Sequence, residues 1–322
     1  MLPLITLEEH FLSEAVANSP AAADLGIELF PSALKGKLMS LSHERLQDMK
    51  DGNISLQIIS HNPAVCYETD ICRKANDEIF QGCESYKSSF AGFAVLPMAD
   101  PVAAADELTR CVKELGFVGA LITNHAHGRF YDGEDYYPFW ERAQEHDVPI
   151  YLHPTNASKD MMPLYRGGYS DKVAGILSTF GWGWHADTGL HIMKLYCSGT
   201  FDRFPKLKVV IGHNGEMLPC MLQRQSDFME TLIVKKRTLV QVWNDNIWVT
   251  TSGMFTIPPF LTLMHTTKIE RIMYSVDYPF CDNKEGLKFM EELQKSGLLT
   301  EEQFEQVAYR NAERLFNIKL QR

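Results

Sequence analysis

Short apolar or β-branched runs recur along the chain, each followed by polar residues and then a stretch with helical periodicity. The runs are Leu4–Glu8, Leu56–Ser60, Phe90–Pro97, Val118–Asn124, Val148–His153, Leu207–His213, Ile247–Ser252 and Ile272–Asp277. Between them, Pro101–Gly116 sets Leu108, Val112 and Leu115 on one helical face and ends in glycine, and Asn283–Gly297 reads the same way. Two more helices are expected after Asp70 and Glu301. The runs are too continuously apolar for an open antiparallel sheet, so eight strands alternating with helices predict a parallel α/β fold. A doubly wound open sheet competes with a closed (β/α)8 TIM barrel. The barrel is preferred because no glycine-rich nucleotide fingerprint follows an early strand. No repeat, low-complexity tract or linker marks a boundary, so residues 1–322 are read as one domain.

Composition narrows the class without naming a reaction. Hydrophobic residues make up 45% and charged residues 22%, the balance of a globular protein with ample core. No window approaches the roughly 18 continuous apolar residues of a membrane span. The start, Met1 to Leu7, lacks a basic region and runs straight into a strand, so no signal peptide is expected. Seven scattered cysteines (Cys66, Cys72, Cys83, Cys111, Cys197, Cys220, Cys281) form no CxxC pair and read as reduced thiols of a cytoplasmic protein. A net charge of −10 without a basic stripe counts against nucleic acid.

In a barrel the active site gathers at the C-terminal ends of the strands, and there the runs place their unusual residues. Glu8 and His10 are expected after the first strand and His153 after the fifth; His213 ends the sixth and Asp277 the eighth. Alternation puts Glu8 and His10 on one face and Glu9 on the other. Two imidazoles and two carboxylates form a mixed nitrogen and oxygen set suited to Zn, Mn or Mg. Taken singly, each histidine reads as a satisfied structural residue, Glu8 as a surface charge and Asp277 as a turn or helix cap. Their joint placement at one mouth favours a site.

Several segments then carry a specific resemblance. Leu7-Glu8-Glu9-His10-Phe11, Tyr151-Leu152-His153-Pro154, Gly212-His213-Asn214-Gly215-Glu216 and Ser275-Val276-Asp277-Tyr278-Pro279-Phe280 resemble signature segments of the aminocarboxymuconate-semialdehyde decarboxylase-like branch of the amidohydrolase superfamily. So do Thr200 to Leu207 and the ending Arg310 to Phe316, in order and across essentially the whole chain. Within the branch the chain most resembles the ortho-hydroxybenzoate decarboxylases of the γ-resorcylate type. The resemblance implies one divalent metal held by Glu8, His10, His153 and Asp277, with His213 and Glu216 as catalytic partners that are not ligands. It implies a small aromatic carboxylate as substrate and, by analogy, a homodimer or homotetramer. Asp277 is the expected proton donor to the ring carbon bearing the carboxylate, although metal ligation favours its ionised form. Glu216 is expected to orient the His213 imidazole; its bland reading is a first-turn acid favoured by the helix dipole.

Binuclear hydrolases of the superfamily resemble one another in a His-x-His on the first strand and a carboxylated lysine ending the fourth. Here Glu-x-His stands on the first, and Ile122-Thr123-Asn124 ends the fourth, which favours a single ion. Asn124, His191, Phe280 and Arg224 are the substrate-pocket candidates. Phe280 could equally pack in the barrel, and Arg224 could form a surface salt bridge or lie at a subunit boundary. His125-Ala126-His127 reads as structural or solvent-facing, with pocket lining the alternative. Phe180-Gly181-Trp182-Gly183-Trp184 reads as core packing or pocket wall. Two functions stay in competition besides an inactive binding protein. One is reversible decarboxylation of an ortho-hydroxybenzoate; the other is metal-dependent hydrolysis or hydration of a lactone or unsaturated carboxylate, with His213 activating water.

Overall fold

The computed structural model describes residues 2–20, 22, 30–63 and 68–320; Cys66 lies outside them. Eight strands appear where the apolar runs predict them: β1 (Leu4–Phe11), β2 (Ile54–His61), β3 (Phe90–Ala94), β4 (Gly119–Thr123), β5 (Ile150–His153), β6 (Val209–Ile211), β7 (Ile247–Thr250) and β8 (Ile272–Met273). Each pairs in parallel with the next in sequence order, giving the (β/α)8 barrel rather than a doubly wound sheet. Every residue of β4, β5 and β6 is buried, because helices cover the outside and the strand's own alternate side chains fill the inside.

The helices begin and end where local chemistry dictates. Asp100 caps the helix Pro101–Lys113 by accepting from Val102 and Ala103 N–H, with proline at its first position. Asp282 caps Asn283–Ser296, which stops at Gly297 with φ +70°. Thr300 and Gln303 form a reciprocal capping box at the last helical segment.

The strand ends depart from the hydrophobic pattern in an informative way. β1 runs to Phe11, so Glu8 and His10 lie on the strand itself rather than after it. β8 ends at Met273, and Asp277 stands four residues beyond it with φ +73°. β6 stops at Ile211, and His213 begins a run of positive-φ residues. Beyond β8 the apolar run continues through Tyr274 and Val276, which stay buried, but the backbone has already left the ladder.

Side chains, more than a backbone ladder, join β8 to β1. Backbone pairing there is the Glu9–Tyr278 bridge, with His10 N–H donating to Tyr278 O at 2.7 Å. Ser275 Oγ accepts from Leu7 and Glu8 N–H at 3.0 and 2.9 Å and donates to Glu9 Oε1 at 3.0 Å. Glu9 Oε1 also accepts from Val276 N–H at 3.1 Å, and its Oε2 from Gln57 Nε2 at 3.2 Å. Glu9 therefore faces away from Glu8 and His10, as alternation predicts, and fastens the seam.

Candidate metal centre

Glu8 and His10 on β1, His153 ending β5 and Asp277 beyond β8 bring one ligand atom each within 4.8 Å of one another. His153 Nε2 lies 2.9 Å from Glu8 Oε1, and His10 Nε2 lies 3.0 Å from Asp277 Oδ1. His10 Nε2, His153 Nε2 and Glu8 Oε1 are all buried without a hydrogen bond. The His153 tautomer explains why: Nδ1–H donates to Pro154 O at 2.7 Å, leaving a lone pair on Nε2. His10 is arranged similarly, with Nδ1 3.2 Å from Ser60 Oγ. Unpartnered lone pairs and carboxylate oxygens at this range repel one another, and a shared divalent cation resolves the repulsion. The donors present thus fit one metal ion.

Electrostatics agree with the donor set. Burial pushes His10 down to about 4, so its imidazole is neutral and able to ligate. Burial opposes ionisation of Glu8, but the neighbouring imidazoles, the charged His213 foremost, outweigh it and hold the carboxyl well below the usual range. Asp277 moves the other way, pushed up to about 8 by burial and by the neighbouring Glu8 charge. Two carboxylates at one mouth thus differ in proton affinity before any cation is present.

Beneath the ligands is a polar layer that the sequence reading missed. Tyr151, two residues before His153 on the same face of β5, donates its hydroxyl to Glu8 Oε2. Its oxygen lies 2.8 Å from Thr250 Oγ1. Gly212 makes this possible, since a Cβ there would sit 2.8 Å from both Glu8 Oε2 and the Tyr151 hydroxyl. The period of two measured back from His153 is the signal that finds Tyr151.

His213 and Glu216 meet as expected: His213 Nδ1 is 2.7 Å from Glu216 Oε1. His213 Nε2 points to the metal side, 3.7 Å from Glu8 Oε1. Burial opposes the imidazolium, yet Glu216 and Glu8 outweigh it and push His213 up to about 10. Glu216 is likewise pulled down to about 2 against its burial by His213 and His185. Gly253, with φ +63°, stands between His213 and Asp277; a Cβ there would lie 3.5 Å from His213 Cδ2 and 3.6 Å from Asp277 Oδ2. A second imidazole, His185, reaches Glu216 Oε2 at 2.7 Å.

The remaining candidates separate by position. Asn124 is fully buried at the mouth of β4; its Nδ2 donates to Thr188 Oγ1 at 3.2 Å, and its Oδ1 has no partner. Phe280 stands partly exposed at the rim, its ring 5.6 Å from that of His10 and 6.0 Å from Phe30. His191 is enclosed, and its Nε2 accepts from Tyr131 N–H at 3.0 Å. Arg224 is exposed and stacks over Phe228 of its own helix at 4.9 Å. His125 and His127 diverge around the tight turn Ala126–Arg129: His125 is buried and accepts from Gly128 N–H at 3.1 Å, whereas His127 is exposed. Phe180 and Trp182 are 63% and 52% exposed and do not pack in the core, whereas Trp184 of the same segment is partly buried.

Comparison with known proteins gives this geometry its relatives. A sequence profile described as amidohydrolase matches residues 44–318. The chain is 50% identical over 337 residues to Decarboxylase orsB of Emericella nidulans, covering 99% of this chain and 98% of that protein. It is 36% identical over 297 residues to Gamma-resorcylate decarboxylase of Rhodococcus jostii, covering 86% and 88%. It also superposes with a TM-score of 0.87 and 33% identity on a dihydroxybenzoic acid decarboxylase from a Polaromonas species, covering 98% of this chain and 97% of that one. That crystal structure holds manganese and the inhibitor 2-nitroresorcinol.

Proposed function

The chain belongs to the amidohydrolase family, and from that premise we propose that it is a metal-dependent, non-oxidative decarboxylase of an ortho-hydroxybenzoate, releasing CO2 and the corresponding phenol. One observation carries the reading: a single-ion donor set and a histidine–glutamate pair open on the same mouth, in a chain that aligns end to end with a decarboxylase. When bound, a divalent cation, manganese by analogy with the Polaromonas structure, supplies positive charge to the carboxylate and phenolic oxygens of the substrate. The mixed nitrogen and oxygen donors also accept zinc or magnesium.

The protein's own residues supply the proton and the orientation. Asp277 receives a proton from the charged His213 and gives it to the ring carbon that bears the substrate carboxylate. The bond to the carboxylate then breaks, its electron pair restores the aromatic ring, CO2 departs, and Asp277 is left as a carboxylate. Glu216 holds His213 for this transfer on the far side of Gly253. Asn124 offers its unpartnered Oδ1 to a ring hydroxyl, and Phe280 offers an apolar edge to the ring. His191 holds the Tyr131 backbone behind that wall.

Arg224 is assigned to a contact between copies in a homodimer or homotetramer. The exposed apolar side chains of Met217, Met221, Phe228, Leu232 and Val234 along the same segment support that assignment. The described cysteines are all free, which supports a reducing, cytoplasmic location, and among the described residues no helix is long and apolar enough to cross a membrane.

The test offers 2,6-dihydroxybenzoate, 2,3-dihydroxybenzoate and salicylate separately to manganese-loaded protein and measures CO2. Release from at least one is expected. Release from none, together with turnover of a lactone, overturns the proposal in favour of a hydrolase.

A further inference from the structure

The helix Gly183–Ser198 turns one face toward the end of β6, and two of its residues are shaped around Glu216. His185 extends a ring whose Nδ1 lies 2.7 Å from Glu216 Oε2. One turn later Gly189 has no side chain, and a Cβ there would fall 2.8 Å from the Glu216 carbonyl oxygen. Between them Thr188 accepts from Asn124, so the same face also backs the β4 mouth.

Glu216 needs such support. Five consecutive residues, His213, Asn214, Gly215, Glu216 and Met217, have φ of 50°, 53°, 95°, 52° and 64°. Left-handed backbone is strained for a non-glycine residue, so the segment persists because its partners over-determine it. Asn214 is tied to β7 and the loop after it through Thr250 O at 2.9 Å and Met254 O at 3.1 Å. On the other side the tie is His185.

A carboxylate bonded to one imidazole can still turn about its terminal torsion, which is broad and nearly twofold. A second bond from a different element removes that freedom. With His213 on Oε1 and His185 on Oε2, both carboxylate oxygens are committed, and the rings meet edge to face at 4.9 Å. His185, His213 and Glu216 have the composition of a metal site. Each Nδ1 already faces its own carboxylate oxygen at hydrogen-bond distance, which marks the group as a hydrogen-bonded unit.

We propose that His185 is a positioning residue for the decarboxylation: its Nδ1–H locks the Glu216 carboxylate so that Oε1 stays on His213 Nδ1 and His213 Nε2 stays aimed at the Glu8 side of the mouth. This rests on the function proposed above. Its half-buried ring, with 16% of the side chain exposed, also makes direct substrate contact the alternative to be separated.

The experiment compares H185A, H185F and H185N in kcat, KM and thermal melting, with H185F keeping ring volume if H185A lowers the melting temperature. Loss of the donor should lower kcat about 10- to 100-fold with little change in KM. H185N, whose amide N–H can take the place of Nδ1–H, should recover most of that loss. Wild-type kcat in H185A and H185F, a loss confined to KM, or failure of a normally folded H185N to recover overturns the proposal. A second readout needs no turnover: the low-field Nδ1–H resonance of His213 in 15N-histidine-labelled, zinc-loaded protein. It should be sharp in wild type and H185N, and broadened or absent in H185A and H185F. If wild type releases no CO2, the functional reading fails while this signal still decides the role of His185; an unchanged signal in H185F refutes it.

Discussion

Metal affinity should climb steeply with pH and then level off near pH 8, and the cause lies in one side chain. Asp277 is pushed up to about 8 by burial and the Glu8 charge, so without metal it carries a proton at neutral pH. Ligation requires the carboxylate, so binding must expel that proton. His10, pushed down to about 4, has none to lose above pH 6. At pH 6 only about one Asp277 in a hundred is ionised, and at pH 8 about half are. The apparent association constant therefore gains about tenfold per pH unit below 8, or roughly 50-fold from pH 6 to pH 8. The assay is competition between protein and a chelator indicator for manganese from pH 5.5 to 8.5, in wild type and Asp277→Asn. The expected slope of log K against pH is about one in wild type and lower by one in the variant. An affinity independent of pH in wild type, or an unchanged slope in D277N, refutes the reasoning.

Other outcomes follow from the same geometry. Glu216→Gln should lower kcat by about 10²- to 10⁴-fold, because His213 loses the charge that holds it protonated and oriented. Since His213 is raised, its contribution to the stability of chelator-stripped protein is complete below pH 6.5 and disappears as pH rises through about 10. Melting between pH 8 and pH 10 should therefore flatten in E216Q relative to wild type. Gly189→Ala should destabilise by about 1–3 kcal/mol in urea unfolding, because its Cβ meets the Glu216 carbonyl oxygen at 2.8 Å. Gly175→Ala, in a helix with nothing within 4 Å of the added Cβ, should instead stabilise by about 0.5–1 kcal/mol. Glu9→Ala strips the buried acceptor from Ser275, Val276 and Gln57 and should cost about 3–5 kcal/mol in the same assay.

The strands and the meeting of Glu8, His10, His153 and Asp277 at one mouth were legible because both depend on period. A buried parallel strand advertises itself as an apolar run, and a ligand at its C-terminal end interrupts that run with a charge or an imidazole. Glu8 and His10 follow from alternation along β1, and His153 from the end of β5. Tyr151 obeys the same rule but hides among apolar neighbours, since nothing in a single sequence says its hydroxyl is needed. His185 depends on how a helix lies against a loop whose backbone is left-handed for five residues, a geometry without a compositional mark. The seam role of Glu9 depends on Ser275 and Val276, more than 260 positions away, and no local pattern encodes such a pairing.

That seam ties cofactor loading to completion of the chain. Glu8 and His10 sit on the first strand and Asp277 just beyond the eighth, so the donor set straddles the joint that Glu9 fastens. During synthesis, a ribosome-bound chain that has not yet exposed Asp277 lacks one of the four ligands and has no closed ring to hold the other three. The ion can be taken up only after the two ends of the molecule have met. Binding at that donor set would withdraw the closed form from the folding equilibrium, which would make the metal the final latch of biogenesis.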